Sequence, residues 1–413
     1  MSWISKLIEE TREYEAPRQY YFWSGLAAIS AVVKDHVWLE RGSDRMKTFP
    51  NVYILILAKT GITKKSHPIS LVEQIVVEAQ CTRVISGRSS IEKIIDDLGT
   101  AATLEGKSRK IIKDSCGFIV SGELSASIIS NSQALTILTN LYDRQYNVGD
   151  WTINLKSGMK KLNKPTITFL AATNDQYMKS FFEAKDMYGG FLGRTLVISA
   201  DVPKRLNALV RPSEIYPDIK ALANYLEKLS KLTGPFQWAN DEVITHYETW
   251  YDNFYGPVQR GEAEVNDKTG TFSRIGDHVL KVAMLLALSE GLELKLKMTH
   301  LQEAISLCEP FVEISERAIR GIGKSTLASQ TAQVMDYLES RNGSASRIGI
   351  LQKFQGDIDH IDLNHIAAHL EESGFMSIER HGSGQVFQMP KKVLEKYRAF
   401  KESRKKQDEG GKI

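Results

Sequence analysis

Lys65 and Ser66, with Gly61, Thr63 and Lys64 just before them, are residue types that bind phosphate. They sit in the stretch Asn51 to Ser70, N-V-Y-I-L-I-L-A-K-T-G-I-T-K-K-S-H-P-I-S, where an almost continuously apolar run stops at Ala58 and a helical pattern, Ile69 to Glu78, begins a few residues on. Strand, loop with Gly and Lys, then helix N-terminus is the order needed to cradle a triphosphate. Free backbone N–H groups and the positive helix end face the phosphates, a lysine reaches the β and γ oxygens, and a hydroxyl holds Mg²⁺.

Against the pattern G-x-x-x-x-G-K-[ST], counting back from Lys65 and Ser66 puts Lys59 and Lys64 where the two glycines belong. Counting from Ala58 instead makes Lys64 the phosphate lysine and loses the hydroxyl ligand. We prefer Lys65 and Ser66; a basic surface turn after a core strand remains the plain alternative.

Three more groups follow in order. Gly117 to Ala126, G-F-I-V-S-G-E-L-S-A, is an apolar run ending in Glu123, a carboxylate placed to bind Mg²⁺ and polarise an attacking water, although the preceding position is Gly122 rather than an acid. Pro165 to Asn174, P-T-I-T-F-L-A-A-T-N, is a buried strand ending in an amide that either faces the nucleotide or caps the next helix. In G-G-F-L-G-R-T-L-V-I, Gly189 to Ile198, Arg194 stands at the mouth of another apolar run, as a finger toward a neighbour's γ-phosphate or as an ordinary ion pair.

Together these stretches resemble the AAA+-type ATPases of phages, plasmids and integrated elements, similar in layout to MCM and superfamily III replicative helicases, over roughly Tyr14 to Ser289. The resemblance implies a hexameric ring that hydrolyses ATP with Mg²⁺ and translocates on DNA, with its active site shared between neighbours and a primase or other replication protein as a candidate partner. It implies that Lys65 holds phosphate, Ser66 and Glu123 the metal, Glu123 activates water, Asn174 acts as sensor 1 on a strand between the two Walker strands, and Arg194 reaches in from the adjacent subunit. Arg274, on a lid helix, would be sensor 2 touching nucleotide; otherwise it pairs with Asp277 or another neighbour. Gly122 and the glycine-poor loop put metal binding and turnover in doubt, and leave a slow nucleotide-gated initiator or loader, or a transcriptional regulator with a degenerate ATPase, as rival readings.

For DNA, the turn signals Asn147 to Asp150 and Ser157-Gly158 predict a hairpin before the sensor strand. By resemblance it grips phosphates through Lys156, Lys160 and Lys161, with Trp151 able to stack; a solvated hairpin with edge lysines is an equal reading. Gln330 to Met389 reads as three helices and a β wing, a winged helix, with Arg380 a phosphate contact and a basic tail after Lys391. His365 and His369 read as ordinary surface or core histidines rather than metal ligands. R-G-I-G-K-S-T-L, Arg320 to Leu327, matches the end of a phosphate loop in text but lacks a preceding strand, and reads as a linker capped by Ser325.

The elements that must position these groups are an α/β fold: an AAA+-like P-loop ATPase core with a helical lid and a C-terminal winged helix. We divide the chain into a helical segment 1–45, the core 46–204, the lid 205–322, the winged helix 323–390 and a basic tail 391–413. Tyr20 to Trp23 read as core packing rather than an adenine platform. At 413 residues, 42% apolar, 25% charged and net charge +3, this is an ordinary globular composition, so DNA binding must come from local clusters. Cys81, Cys116 and Cys308 are odd in number and far apart, which points to a reducing compartment. No signal peptide and no run of about 18 apolar residues is evident. The expected location is cytoplasmic, with no membrane partner.

Overall fold

Alternation along five parallel strands sorts the core of the first unit into two faces. In this computed structural model the strands are β1 Tyr53–Leu57, β2 Val84–Ser86, β3 Cys116–Ser121, β4 Thr166–Thr173 and β5 Thr195–Ser199, in spatial order β5-β1-β4-β3-β2. Successive side chains point to opposite faces. Ile54 and Ile56 of β1, Phe118 and Val120 of β3, Leu170 and Ala172 of β4, and Leu196 and Ile198 of β5 therefore join one buried cluster. Tyr53, Leu55, Leu57, Ile119, Phe169, Ala171 and Val197 join the other. Burial on both faces is why these strands read as continuous apolar runs.

The structure describes residues 1–42, 46–58, 63–86, 90–99, 102–104, 110–112, 114–124, 132–143, 150–155, 158–174, 178, 190–200, 216–265, 267–319, 326–355, 357–381 and 384–410. Two compact units divide it, Met1–Ile322 and Gly323–Ile413. Among the described residues no helix is long and apolar enough to cross a membrane.

Helices cover both faces of the sheet. On the first lie α1 Trp3–Glu10, α2 Arg18–Val33, α3 Ser66–Ala79 and, from later in the chain, α6 Ile219–Leu229 and α8 Ile275–Glu290. On the second lie α4 Ile91–Gly99 and α5 Ser132–Tyr142. Tyr20, Tyr21 and Trp23 of α2 are buried in the first cluster. The N-terminal segment is tied to the later helices: Trp3 Nε1 donates to Leu222 O at 3.0 Å and Ile4 N to Ser289 Oγ at 3.1 Å.

The lid, expected to be helical, departs from the sequence reading: Gly234–Trp238 is a strand that pairs parallel with Val37–Glu40 and with Lys295–Leu296, and Lys47–Thr48 completes a four-stranded sheet. Before Arg320 the chain folds as two helices, α9 Met298–Cys308 and α10 Phe311–Ile319. Pro310, which lacks an N–H to continue the first ladder, stands at the break. Between α6 and α8 runs α7 Asp241–Gln259, whose N-terminus is capped by Asn240 accepting from Val243 N at 3.2 Å.

In the second unit, α11 Thr326–Ser340, α12 Arg347–Lys353 and α13 His360–Glu372 pack around Leu338, Ile350, Leu363, Ile366, Leu370 and Phe387. Ser377–His381 and Gly384–Gln388 form the expected hairpin, and Ser344–Ser346 adds a third strand on its far side. Ser346 caps α12 and Asp359 caps α13. The basic tail is helical, α14 Lys391–Gly410. His365 and His369 are both exposed, and no described residues form a cluster able to hold a metal ion. Arg320 to Ser325, the rest of the phosphate-loop look-alike, lie outside the described residues.

Candidate nucleotide site and the arginine edge

The C-terminal ends of β1, β3 and β4 meet at one edge of the sheet. β4 lies between the other two, with Thr173 beside Leu57 and Ala171 beside Ser121. Backbone bonds lock the three tips together: Ala58 N donates to Thr173 O at 3.1 Å, and Leu124 N to Ala172 O at 2.6 Å. Lys65, Ser66, Glu123 and Asn174, scattered in the chain, are thereby brought to one edge.

The loop leaving β1 carries the groups nearest the start of α3. Lys64 has φ +48°, the left-handed backbone that glycine adopts freely, at the position where the phosphate-loop pattern asks for its second glycine. Its side chain is exposed and its ammonium lies 3.9 Å from Glu15. Lys65 is buried, and Ser66 opens α3. Ser66 Oγ donates to Gly122 O at 3.3 Å, so the loop after β1 touches the tip of β3. A Cβ on Gly122 would stand 3.5 Å from the Ser66 Cβ and 3.7 Å from its hydroxyl. The position where the pattern calls for an acid is therefore the one beside the hydroxyl. Glu123 follows, with an exposed side chain; its carbonyl accepts from Ser121 Oγ at 2.6 Å. Asn174 is buried, and its carbonyl accepts from Met178 N at 2.8 Å, a helix-start contact. Gly61 lies outside the described residues.

Mg²⁺ bound to a triphosphate keeps several waters and takes only one or two protein ligands. The hydroxyl of Ser66 and the carboxylate of Glu123 meet that demand, and Gly122 adds a carbonyl but no second acid. Sequence reasoning missed an aromatic corner beside the same helix start: the Tyr14 and His67 rings lie 4.4 Å apart, and Tyr21 OH is 2.8 Å from His67 Nδ1.

Arg194 and Arg274 are not part of this edge. Arg194 precedes β5, whose Thr195 is level with Tyr53 at the start of β1. The loop that leaves β1 is thus a five-residue strand away, roughly 16 Å. Arg194 donates Nε to both carboxylate oxygens of Asp143, at 3.1 and 3.0 Å, and Nη1 to Gly190 O at 3.0 Å. Arg274, just ahead of α8, donates to Gly270 O at 3.3 Å. It does not pair with Asp277, whose partner is Arg41. Both guanidinium groups flank Gly190.

Behind them α8 contributes two buried polar groups, Lys281 and His278. Lys281 donates to Asn51 O at 2.9 Å and Asn51 Oδ1 at 2.8 Å, and its ammonium sits 3.9 Å from the Tyr142 ring centroid. Burial lowers its pKa to about 7. His278 Nε2 lies 2.9 Å from Gly193 O, and burial lowers the ring to about 4. The unfolded chain therefore takes up a proton between the usual histidine range and pH of about 4 while the folded chain does not, so stability falls as pH falls through that window. In urea unfolding, His278→Gln is expected to lose less stability than the parent between pH 7 and pH 5 (values chosen to bracket that range); equal losses would contradict it.

The hairpin Asp150–Leu155 with Gly158–Asn163 forms as expected. It is anchored on α4 rather than free of the body: Leu162 is buried in the cluster with Ile94, Ile95 and Leu98, and Lys160 Nζ lies 2.7 Å from Asp96. Lys161 is exposed and Trp151 half-buried. Lys156 and the side chain of Arg380 lie outside the described residues.

No family model matches the chain, and no curated protein matches it. Among solved structures it is similar to the Aeropyrum pernix ORC2 protein in its ADPNP-ADP complexes, at 12% identity and a TM-score of 0.24, over 86% of this chain and 90% of that one. The ADP form of the same protein gives 12% and 0.24, over 86% and 89%. A TM-score of this size leaves the fold to be read from this chain's own sheet.

Proposed function

We propose that the chain is an ATPase of the P-loop class, AAA+-like in its core, that works as an oligomer and uses its nucleotide state to set its hold on DNA in replication initiation. The observation that carries this reading is the contact of Ser66 with Gly122, which joins the loop after β1 to the carboxylate-bearing tip of β3 beside Asn174. Lys65 and the amides opening α3 hold the phosphates; Lys64 is turned toward Glu15 instead. Ser66 and Glu123 would hold Mg²⁺, which when bound neutralises phosphate charge. Glu123 takes a proton from the attacking water, and Asn174 orients that water. Arg194, some 16 Å removed by strand length, and Arg274, on the other side of Gly190, serve a neighbouring protomer's site, which makes the active unit an oligomer and, by resemblance, a hexameric ring.

Slow hydrolysis is the expectation at a site with one carboxylate, and Lys160 engaged with Asp96 favours a switch over a pore loop that grips and releases at every step. The DNA contacts are Lys161 and Lys156 of the hairpin, and the C-terminal unit acting as a winged helix through Arg380 and α14. Fluorescence anisotropy of labelled DNA, with phosphate release followed in parallel, tests the switch. DNA affinity should differ at least about tenfold between ATP and ADP (about 1.4 kcal/mol), with turnover well below the roughly 10 s⁻¹ of an ordinary enzyme. Fast, DNA-stimulated turnover with strand separation would favour a helicase, and nucleotide-independent DNA binding would contradict the proposal.

A further inference from the structure

We infer that Asp143 is the positioning residue of Arg194, a role that rests on the reading of Arg194 as the group that reaches a neighbour's nucleotide. A guanidinium carries five N–H donors in a fixed plane. Asp143 takes the side formed by Nε and Nη2, and Gly190 O takes one hydrogen of Nη1. Among the described residues, one N–H on each terminal nitrogen has no acceptor, and a guanidinium offers such N–H groups to a phosphate in two parallel bonds. The side chains of Arg194 and Asp143 are 12% and 19% exposed, so the pair is recessed yet not sealed from solvent.

Asp143 is itself held from below. It follows the last residue of α5, Tyr142, whose carbonyl accepts from Asn51 Nδ2 at 2.9 Å and whose ring lies under the Lys281 ammonium at 3.9 Å. The Tyr53 ring meets that of Tyr142 at 4.9 Å, and Tyr53 OH donates to Leu138 O at 2.8 Å, one turn back in α5. A path of direct contacts thus runs from Lys281 on α8 through Asn51 and Tyr142 to Asp143 and Arg194. Because the guanidinium is oriented before a phosphate arrives, little side-chain freedom is lost at the transition state, where a displacement of about 1 Å costs about a hundredfold in rate.

Asp143→Ala in the full chain tests this under single-turnover conditions. The rate at saturating ATP should fall about 10- to 100-fold, while ATP affinity stays within about twofold, since the protomer's own phosphate loop is far from the substitution. Mixing Asp143→Ala with Lys65→Ala chains should restore turnover. At mixed interfaces the first supplies an intact Lys65 and the second a correctly held Arg194. Normal turnover by Asp143→Ala while Arg194→Ala is inactive would overturn this inference and leave the shared site standing. Normal turnover by Arg194→Ala would overturn both. Faster turnover by Asp143→Ala would make Asp143 a restraint on Arg194, and failure to recover activity on mixing would make the defect structural; either overturns the positioning role.

Discussion

Replacing Glu123 by glutamine is expected to cut ATP turnover at least about a hundredfold while ATP is still bound through Lys65 and the amides opening α3, the signature of a lost general base. The substitution keeps size and hydrogen-bonding capacity and removes only basicity and charge. Its local backbone is set by bonds the variant retains, from Leu124 N to Ala172 O and from Ser121 Oγ to Glu123 O. The side chain is exposed, so no packing is lost to confuse the result. Phosphate release and a nucleotide titration on the same preparation make the measurement. Unchanged turnover would reduce Glu123 to a solvated acid at a strand end.

A second large effect is expected at Gly193, one residue before Arg194. A Cβ there would lie 2.5 Å from Gly270 O and 2.8 Å from Thr269 O, both backbone atoms. The opposing loop has little room to retreat. Asp267 accepts from Phe272 N and Ser273 N at 3.1 and 2.9 Å, and Thr269 Oγ1 donates to Thr271 Oγ1 at 2.8 Å. Gly193→Ala should therefore destabilise by about 2–3 kcal/mol, as overpacking in a rigid place does. It should also lower turnover, because the loop that moves carries Arg274 and the residue that moves adjoins Arg194. Gly291→Ala is the control: nothing lies within 4 Å of its Cβ position, and its effect should stay within about 0.5 kcal/mol. Denaturant unfolding of the two variants decides the matter, and equal stabilities would contradict the close approach.

What was legible in the sequence was local. The β1, β3 and β4 runs declared themselves because burial on both faces removes polar residues from them. The order β5-β1-β4-β3-β2 was not, since β1 finds both its neighbours far along the chain. Asp143 carries no motif, and only the fold sets it against Arg194. Gly234–Trp238 is short and begins with Gly-Pro, so its pairing with Val37–Glu40 left no periodic trace. Lys64 shows a different failure: matching by residue identity scores it as a lost glycine, yet its backbone holds glycine's conformation. Arg274, read as a residue of a lid helix, stands just ahead of α8, and the buried polar groups of that helix turn toward Gly193 and Asn51 rather than toward the loop after β1.

The claim on which the rest depends is that the ends of β1, β3 and β4 form a triphosphate site centred on Lys65. Equilibrium titration of a fluorescent ATP analogue against the full chain tests it most directly. The account predicts saturable binding that unlabelled ATP displaces, weakened at least about thirtyfold in Lys65→Ala, as losing a charged hydrogen bond worth about 2 kcal/mol requires. Failure to retain the analogue at millimolar concentration, or equal binding by Lys65→Ala, would contradict it.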